Sequence, residues 1–254
     1  MDVLHYEPLS PVFPVWKPLQ NDSLYAIAQH FTAFQRAIKS LQHHYELFYT
    51  SVWAPLTHPT LPRAPYLDTY TSCITGNSIT FQLMNEEVNG QAVYHGVQDD
   101  DHETAITVKF VQTYSTALHD SCASTGHAPT LLGYEELPGK WWMVVMKHMI
   151  GYKQAANLAL TDWHSLQAVR EGVLEVVDRF HKDGFVHGDL RGTNLLINGK
   201  SFVFINFDWA GEEGMVQYPM DINCDIGLGC PADVYGGAKI LKIHDIHMTK
   251  SIFL

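Results

Sequence analysis

The chain is short of basic residues and of long apolar runs, and each shortage closes off a class of function. Lys and Arg number 16 against 27 Asp and Glu, a formal net charge of −11 over 254 residues. That balance argues against a general nucleic-acid binder or a protein of anionic membrane surfaces, while leaving room for a local basic pocket for phosphate. The most apolar stretch, Trp141 to Ile150, contains Lys147 and His148 and is too short to span a bilayer. The start, Met1-Asp-Val-Leu-His-Tyr-Glu7, has neither the basic residues nor the apolar core of a secretory signal. Cysteine is sparse. Cys73, Cys122, Cys224 and Cys230 show no C-x-x-C spacing, which fits reduced thiols in the cytosol or nucleus better than a zinc site. No G-x-S-x-G occurs, so a hydrolase triad has no support, and no internal repeat is present.

What is present is core material. Apolar residues make up 46% of the chain, enough for one large domain or two lobes. Residues 1–20 carry Pro8, Pro11, Pro14 and Pro18 and read as an extended lead-in. Asn21-Asp22-Ser23 then offers capping side chains. Leu24, Ala28, Phe31, Ile38, Leu41, Tyr45 and Phe48 follow as one face of an amphipathic helix. The expectation is a helix packed on the domain that follows. A coiled-coil dimer is the alternative, disfavoured because the pattern is brief and irregularly filled.

The Pro-rich run from Trp53 to Pro65 reads as a linker. Strand-like segments follow at 78–83, 92–97 and 104–111, with Asp99-Asp-Asp-His-Glu103 as a solvated acidic hairpin tip. Residues 114–125 form a helix in this reading. Segments 129–134 and 141–146 are strands around a turn at Pro138-Gly139-Lys140. Thr161 or Asp162 caps a long helix with Leu166, Val169, Val173, Val176, Val177 and Phe180 on its apolar side, closed by Asp183-Gly184. Asn198-Gly199 signals a hairpin between 195–197 and 202–205. The order predicts an α+β, two-lobed plan: an N-terminal extension (1–65), a β-rich lobe (66–148), a hinge near Met146 to Gly151, and a short helical lobe (149–254). His244, Asp245 and His247 read as a surface helix in preference to a metal cluster.

The strongest motif is Phe185-Val-His-Gly-Asp-Leu-Arg-Gly-Thr-Asn-Leu-Leu-Ile197. It sets Asp189 five residues before Asn194, after His187 and ahead of an apolar strand. This resembles the catalytic loop of protein-kinase-like phosphotransferases, His-x-Asp-Leu-x-x-x-Asn. Lys109, at the end of the β-branched run Ala105-Ile-Thr-Val-Lys109, is costly to bury without an anionic partner and resembles the phosphate-binding strand Lys of kinases. Phe204-Ile-Asn-Phe-Asp-Trp-Ala-Gly211 stands where such proteins place a metal-binding Asp. The aligned residue is Asn206; Asp208 lies two on, and strand alternation would put both on one side.

With Trp142-Met-Val-Val-Met146 and Tyr218-Pro219, these residues resemble the protein-kinase-like superfamily over about residues 60–254, and most closely its fungal kinase-like members. His-Gly-Asp is also similar to aminoglycoside and choline phosphotransferases. The resemblance implies an ATP and Mg²⁺ site between two lobes. Lys109 and Met146 would bind the nucleotide, Asp189, Arg191 and Asn194 would serve catalysis, and Asn194, Asn206 and Asp208 would hold metal. It implies transfer of the γ-phosphoryl to a hydroxyl, with Ser or Thr of a protein favoured by analogy, and no nucleic-acid or membrane partner. A pseudokinase acting as a binding module and a small-molecule kinase are the alternatives. Five departures bear on activity. The only acidic side chain between Phe110 and Pro129 is Asp120, and no G-x-G-x-x-G is present, although a hairpin at Asn89-Gly90 could cover a nucleotide. Asn206 replaces the metal Asp. Gly188 removes the Arg that answers an activation-loop phosphate, and only 48 residues (254 − 206) follow Asn206.

Overall fold

The computed structural model describes residues 21–49, 67–86, 92–137, 140–158, 163–220, 222 and 231–253. The expected lead-in over 1–20, the 53–65 linker, Asn89-Gly90, Pro138-Gly139, the caps Thr161 and Asp162, and Cys224 and Cys230 lie outside the described residues. The chain divides at residues 61 and 62 into two units.

The first unit contains helix α1 (Asn21–Tyr49), 29 residues with no Gly or Pro inside it. Asn21-Asp22-Ser23 form its first turn. Leu24, Tyr25, Phe31, Phe34 and Ile38 are exposed.

The second unit opens with β1 (Thr69–Thr71), β2 (Ser78–Glu86), β3 (Val93–Gln98), β4 (Ala105–Val111), helix α2 (Thr116–Ser124), β5 (Leu131–Leu137) and β6 (Trp141–Lys147). The strands form one antiparallel sheet in the order β1-β2-β3-β4-β6-β5. Period-two alternation gives β4 two different faces. Ile106, Val108 and Phe110 pack with Tyr70, Phe81, Tyr94, Met143 and Val145. Val111 packs on the other face with Val144 and Met146. Lys109 has the parity of Val111, so the alternation directs it away from the first cluster. Burying each large apolar side chain contributes about 1.5–3 kcal/mol, so the apolar face sets the register and the register sets where Lys109 points.

Strand β1, which no sequence pattern announces, reaches both ends of the sheet. It pairs with β2, Ser72 bridges Gly133 on β5, and the Cys73 N–H donates to the Leu132 carbonyl at 2.7 Å. The sheet thereby closes around Tyr70. Gly133 permits the closure, because a Cβ there would run into the Tyr70 ring.

The remainder comprises β7 (Lys153–Gln154), α3 (Ala155–Leu158), α4 (Trp163–Lys182), β8 (Phe185–Val186), β9 (Leu195–Asn198), β10 (Ser201–Phe204), β11 (Gly211–Glu212) and α5 (Lys242–Ile252). The apolar stripe expected on α4 is buried along its whole length, against Phe202 and Phe204 of β10 and Leu118 and Cys122 of α2. Burial pushes the Cys122 thiol up to about 12, so it packs as a small apolar group and is not a nucleophile. The Asn198-Gly199 turn joins β9 to β10, with Gly199 at a φ of +59°. One expectation is overturned. Helix α5 exists, but it is not a surface helix: His244, Asp245, Met248 and Thr249 are buried and only the opposite side, with His247, faces water.

Candidate functional site

The loop between β8 and β9 is anchored from below. Gly184, at a φ of +87°, ends α4 and turns the chain into Phe185-Val186, which pairs with β11. The next two backbone N–H groups both donate to one carboxylate: His187 to Asp245 Oδ2 at 2.7 Å and Gly188 to Asp245 Oδ1 at 2.8 Å. His181 Nε2 lies 3.1 Å from the same Oδ2. Asp245 is fully buried, and these bonds satisfy it. Gly188 adopts a φ of +79°, and a Cβ there would sit 2.9 Å from Ile240 Cδ1. That conformation suits glycine and explains the residue at the motif's second place.

His187 is fully buried. Its Nε2 donates to the Ile205 carbonyl at 3.1 Å, so Nδ1 is left to accept the Asp189 N–H at 3.3 Å. Burial holds its pKa below the ordinary histidine value, against the pull of Asp245 and Asp189. The ring is a neutral strut that sets the Asp189 backbone.

Asp189 itself is 3% exposed. Asn194 Nδ2 donates to its Oδ2 at 2.7 Å and to its carbonyl at 2.8 Å, bracing the loop across its own width. Arg191 Nη2 donates to Oδ2 at 2.9 Å, and Nε makes a close ionic contact with Oδ1 at 2.5 Å without hydrogen-bond alignment. Asp189 and Arg191 face a small recess lined by Trp209, Tyr218, Ile222 and Met248.

From above comes Lys109. Its ammonium donates to Asp208 Oδ2 at 2.6 Å and to Asn206 Oδ1. Asn206 Nδ2 in turn lies 3.4 Å from Asp189 Oδ2, which joins the two halves of the site. Both residues after β10 thus reach Lys109, but strand alternation is not the cause. Asn206 has a left-handed φ of 71°, and β10 has already ended at Phe204. A turn, with Phe207 folded back into the core, brings 206 and 208 together. Asp208 Oδ1 is out of solvent and has no hydrogen-bond partner. Burial raises the Asp208 carboxyl above its usual range, with Lys109 opposing the shift.

Helix α2 supplies no carboxylate to Lys109. Asp120 is exposed on it. The helix is instead tied to the turn below: Ser115 N–H donates to the Phe207 carbonyl at 3.0 Å, and Thr113 Oγ1 donates to the Asp208 carbonyl at 2.7 Å. His119 stacks on Phe207, with centroids 4.8 Å apart and planes 11° off parallel. Met146 lies opposite Thr107 in the β4–β6 register, on the Lys109 face, and is 6% exposed. A cavity of about 370 Å³ opens beside residues 147–152, lined by Ala128, Thr130, Lys147, His148, Tyr152 and Val203, and it holds none of Lys109, Asp189 or Asp208.

Sequence reading put Asp245 on a surface helix and gave no role to His181 or His119. A signal for Asp245 was on view, since Met248 and Thr249, three and four positions on, share its helix face. The donor set also bears on a cation. Asp208 Oδ1 is an unsatisfied carboxylate oxygen, and the Asn194 amide nitrogen is spent on Asp189, which leaves its oxygen for a hard ion. Asn206 Oδ1 is engaged by Lys109. Asp208 Oδ1 and the Asn194 amide oxygen are thus the donor atoms of this set left over for a hard cation.

No protein-family profile matches the chain, and no curated protein matches it in sequence. Solved structures do. The structure of the Cydia pomonella granulovirus kinase PK-1 superposes with a TM-score of 0.53 at 12% identity, covering 68% of each chain. The structure of vaccinia related kinase 3 superposes with a TM-score of 0.51 at 12% identity, covering 78% of this chain and 69% of that one. At this identity the likeness establishes the fold: mixed α+β and kinase-like, with an N-terminal helix.

Proposed function

We propose that the chain is an ATP-dependent phosphotransferase that moves the γ-phosphoryl group to a hydroxyl acceptor. One observation carries this reading. A buried Lys, two carboxylates and two amides, drawn from β4, the 187–194 loop and the 206–208 turn, converge on one point, and one carboxylate oxygen there lacks a partner. Lys109 neutralises phosphate oxygens once it leaves Asp208. Asp189 receives or orients the acceptor's hydroxyl proton, and Arg191 turns from Asp189 to offset charge on the phosphoryl group. Asp208 and Asn194 would hold Mg²⁺, whose charge would supplement that of Lys109. The acceptor is a protein Ser or Thr by analogy alone.

A pseudokinase is the second reading, favoured by Asn206 at a metal position and by Arg191 closed on both oxygens of Asp189. Thermal shift with ATP, with and without Mg²⁺, tests the nucleotide site. Stabilisation that requires Mg²⁺ and is lost in Lys109→Ala and Asp208→Ala supports it; no shift at millimolar ATP refutes it. Labelled phosphate transfer to protein, amino-alcohol and sugar panels then separates the enzyme from the binding module. Asp189→Asn should lower any transfer by about 10²–10⁴-fold.

A further inference from the structure

We propose that α1 is a self-association helix, whose partner is α1 of a second copy of this chain. Eight of its large apolar residues step alternately by three and four: Leu24, Ile27, Phe31, Phe34, Ile38, Leu41, Tyr45 and Phe48; Tyr25 and Leu47 fall outside the series. With Ile27 and Phe34 the pattern has no gap. A repeat of 3.5 residues is the signature of a left-handed supercoil, since an ideal helix drifts by about 20° per heptad against it.

The width of the stripe decides between partners. A helix that packs on a globular body shows a broad face, with apolar residues at one flanking position as well. Here the flanking positions are Ala28, Gln35, Gln42 and Tyr49 on one side and Ser23, His30, Ala37 and His44 on the other. They are mostly small or polar. The seam is a narrow two-in-seven stripe.

Charge placement points to an identical partner. The ionised residues of α1 are Asp22, Arg36, Lys39 and Glu46. Each falls at one of the three outer heptad positions, away from the seam and its flanks. Two copies therefore meet without a like-charge pair at neutral pH, and no flanking charge calls for a complementary partner. Leu24, Phe31, Phe34 and Ile38 are between 39% and 66% exposed, so their burial would supply the association energy.

The test is the mass of the full chain in solution, by sedimentation equilibrium at micromolar concentration. Two chains per particle are expected for the wild type. Phe31→Glu and Ile38→Glu should return one chain per particle, while Ile38→Leu and the outer-face variant Gln29→Glu should stay paired. The melting transition and any ATP response of the second unit, followed in the same variants, guard against misfolding as the cause of dissociation. A monomeric wild type overturns the proposal, as does a dimer that survives both Glu substitutions.

Discussion

Lys109 Nζ and Asp208 Oδ2 lie 2.6 Å apart, joined across 99 residues of sequence. Both side chains are largely withdrawn from water, at 8% and 23% exposure. A Lys in this setting requires an anion, and the fold delivers one from the turn after β10, with none coming from α2.

This pairing predicts a strong double-mutant coupling. Lys109→Met leaves a buried carboxylate uncompensated and should cost about 3–5 kcal/mol in urea unfolding. Asp208→Asn alone strands the ammonium beside two amides and should also destabilise. The double variant should be more stable than the sum of the singles by about 2 kcal/mol or more. Simple additivity would mean that the pair carries no net interaction.

Asp245 predicts the second effect. It accepts both N–H groups that launch the 187–194 loop. Asp245→Ala strands both in a dry interior, at about 1–3 kcal/mol each, and should lower stability by about 2–5 kcal/mol. Asp245→Asn retains one acceptor and should lose roughly half as much. Because Asp245 touches neither Lys109 nor Asp208, an ATP-induced thermal shift should survive the Asn variant. An Ala variant as stable as wild type would show that water substitutes for the carboxylate.

His119 predicts a pH effect of definite sign. The Pro129 carbonyl, 2.6 Å from Nε2, can only accept, so Nε2 carries the proton and Nδ1 accepts from Tyr114 Oη at 2.6 Å. Burial lowers its pKa, which favours the neutral ring that this arrangement requires. Below the ordinary value of about 6.5, the unfolded chain binds a proton that the folded chain refuses. Stability should therefore be retained above about pH 6.5 and fall as pH drops through the window below it. Urea midpoints at pH 7.5, 6 and 5 check this. His119→Gln should lose part of the acid sensitivity and not all, since His187 is depressed in the same direction. Identical pH curves for the two proteins would rule His119 out as a source.

Much of this architecture can be read from local pattern, and the exceptions share a cause. The α4 stripe, the Asn198-Gly199 hairpin and the β-branched Lys109 strand are recorded in periodicity and turn chemistry, which act over a few residues. The closure of the sheet by Thr69–Thr71 is not, because three residues carry no period and the partner, Gly133, is remote in sequence. Asp245 escaped for a related reason. Helical spacing announces an apolar face, but it cannot say that one polar residue on that face will be met by backbone groups 57 and 58 positions away. The 206–208 turn is a third case. Strand alternation set Asn206 and Asp208 on one side, while the conformation that brings both to Lys109 is a turn with a left-handed Asn, which alternation does not describe.

Asn206 carries the most discriminating prediction for function. Its amide bridges the two halves of the site, with Oδ1 toward Lys109 and Nδ2 3.4 Å from Asp189 Oδ2. Asn206→Asp keeps the shape, and Asp tolerates the left-handed φ of 71° nearly as well. The donor facing Asp189 becomes an acceptor, however, and a third carboxylate joins Asp189 and Asp208 around one Lys. Without a divalent ion the variant should be less stable than wild type by about 1–2 kcal/mol, from like-charge repulsion in a partly dry site. With Mg²⁺ the order should reverse, because a hard cation gains a second anionic oxygen beside Asp208 Oδ1. Apparent Mg²⁺ affinity, read by thermal shift in the presence of ATP, should rise by about 10-fold or more, and any phosphate transfer should rise with it. A variant whose Mg²⁺ response matches wild type would mean that the 206–208 turn does not hold metal. A gain in Mg²⁺ affinity with no transfer to any acceptor would instead identify a nucleotide-binding module whose chemistry has been lost elsewhere, with Arg191 closed over Asp189 as the first place to look.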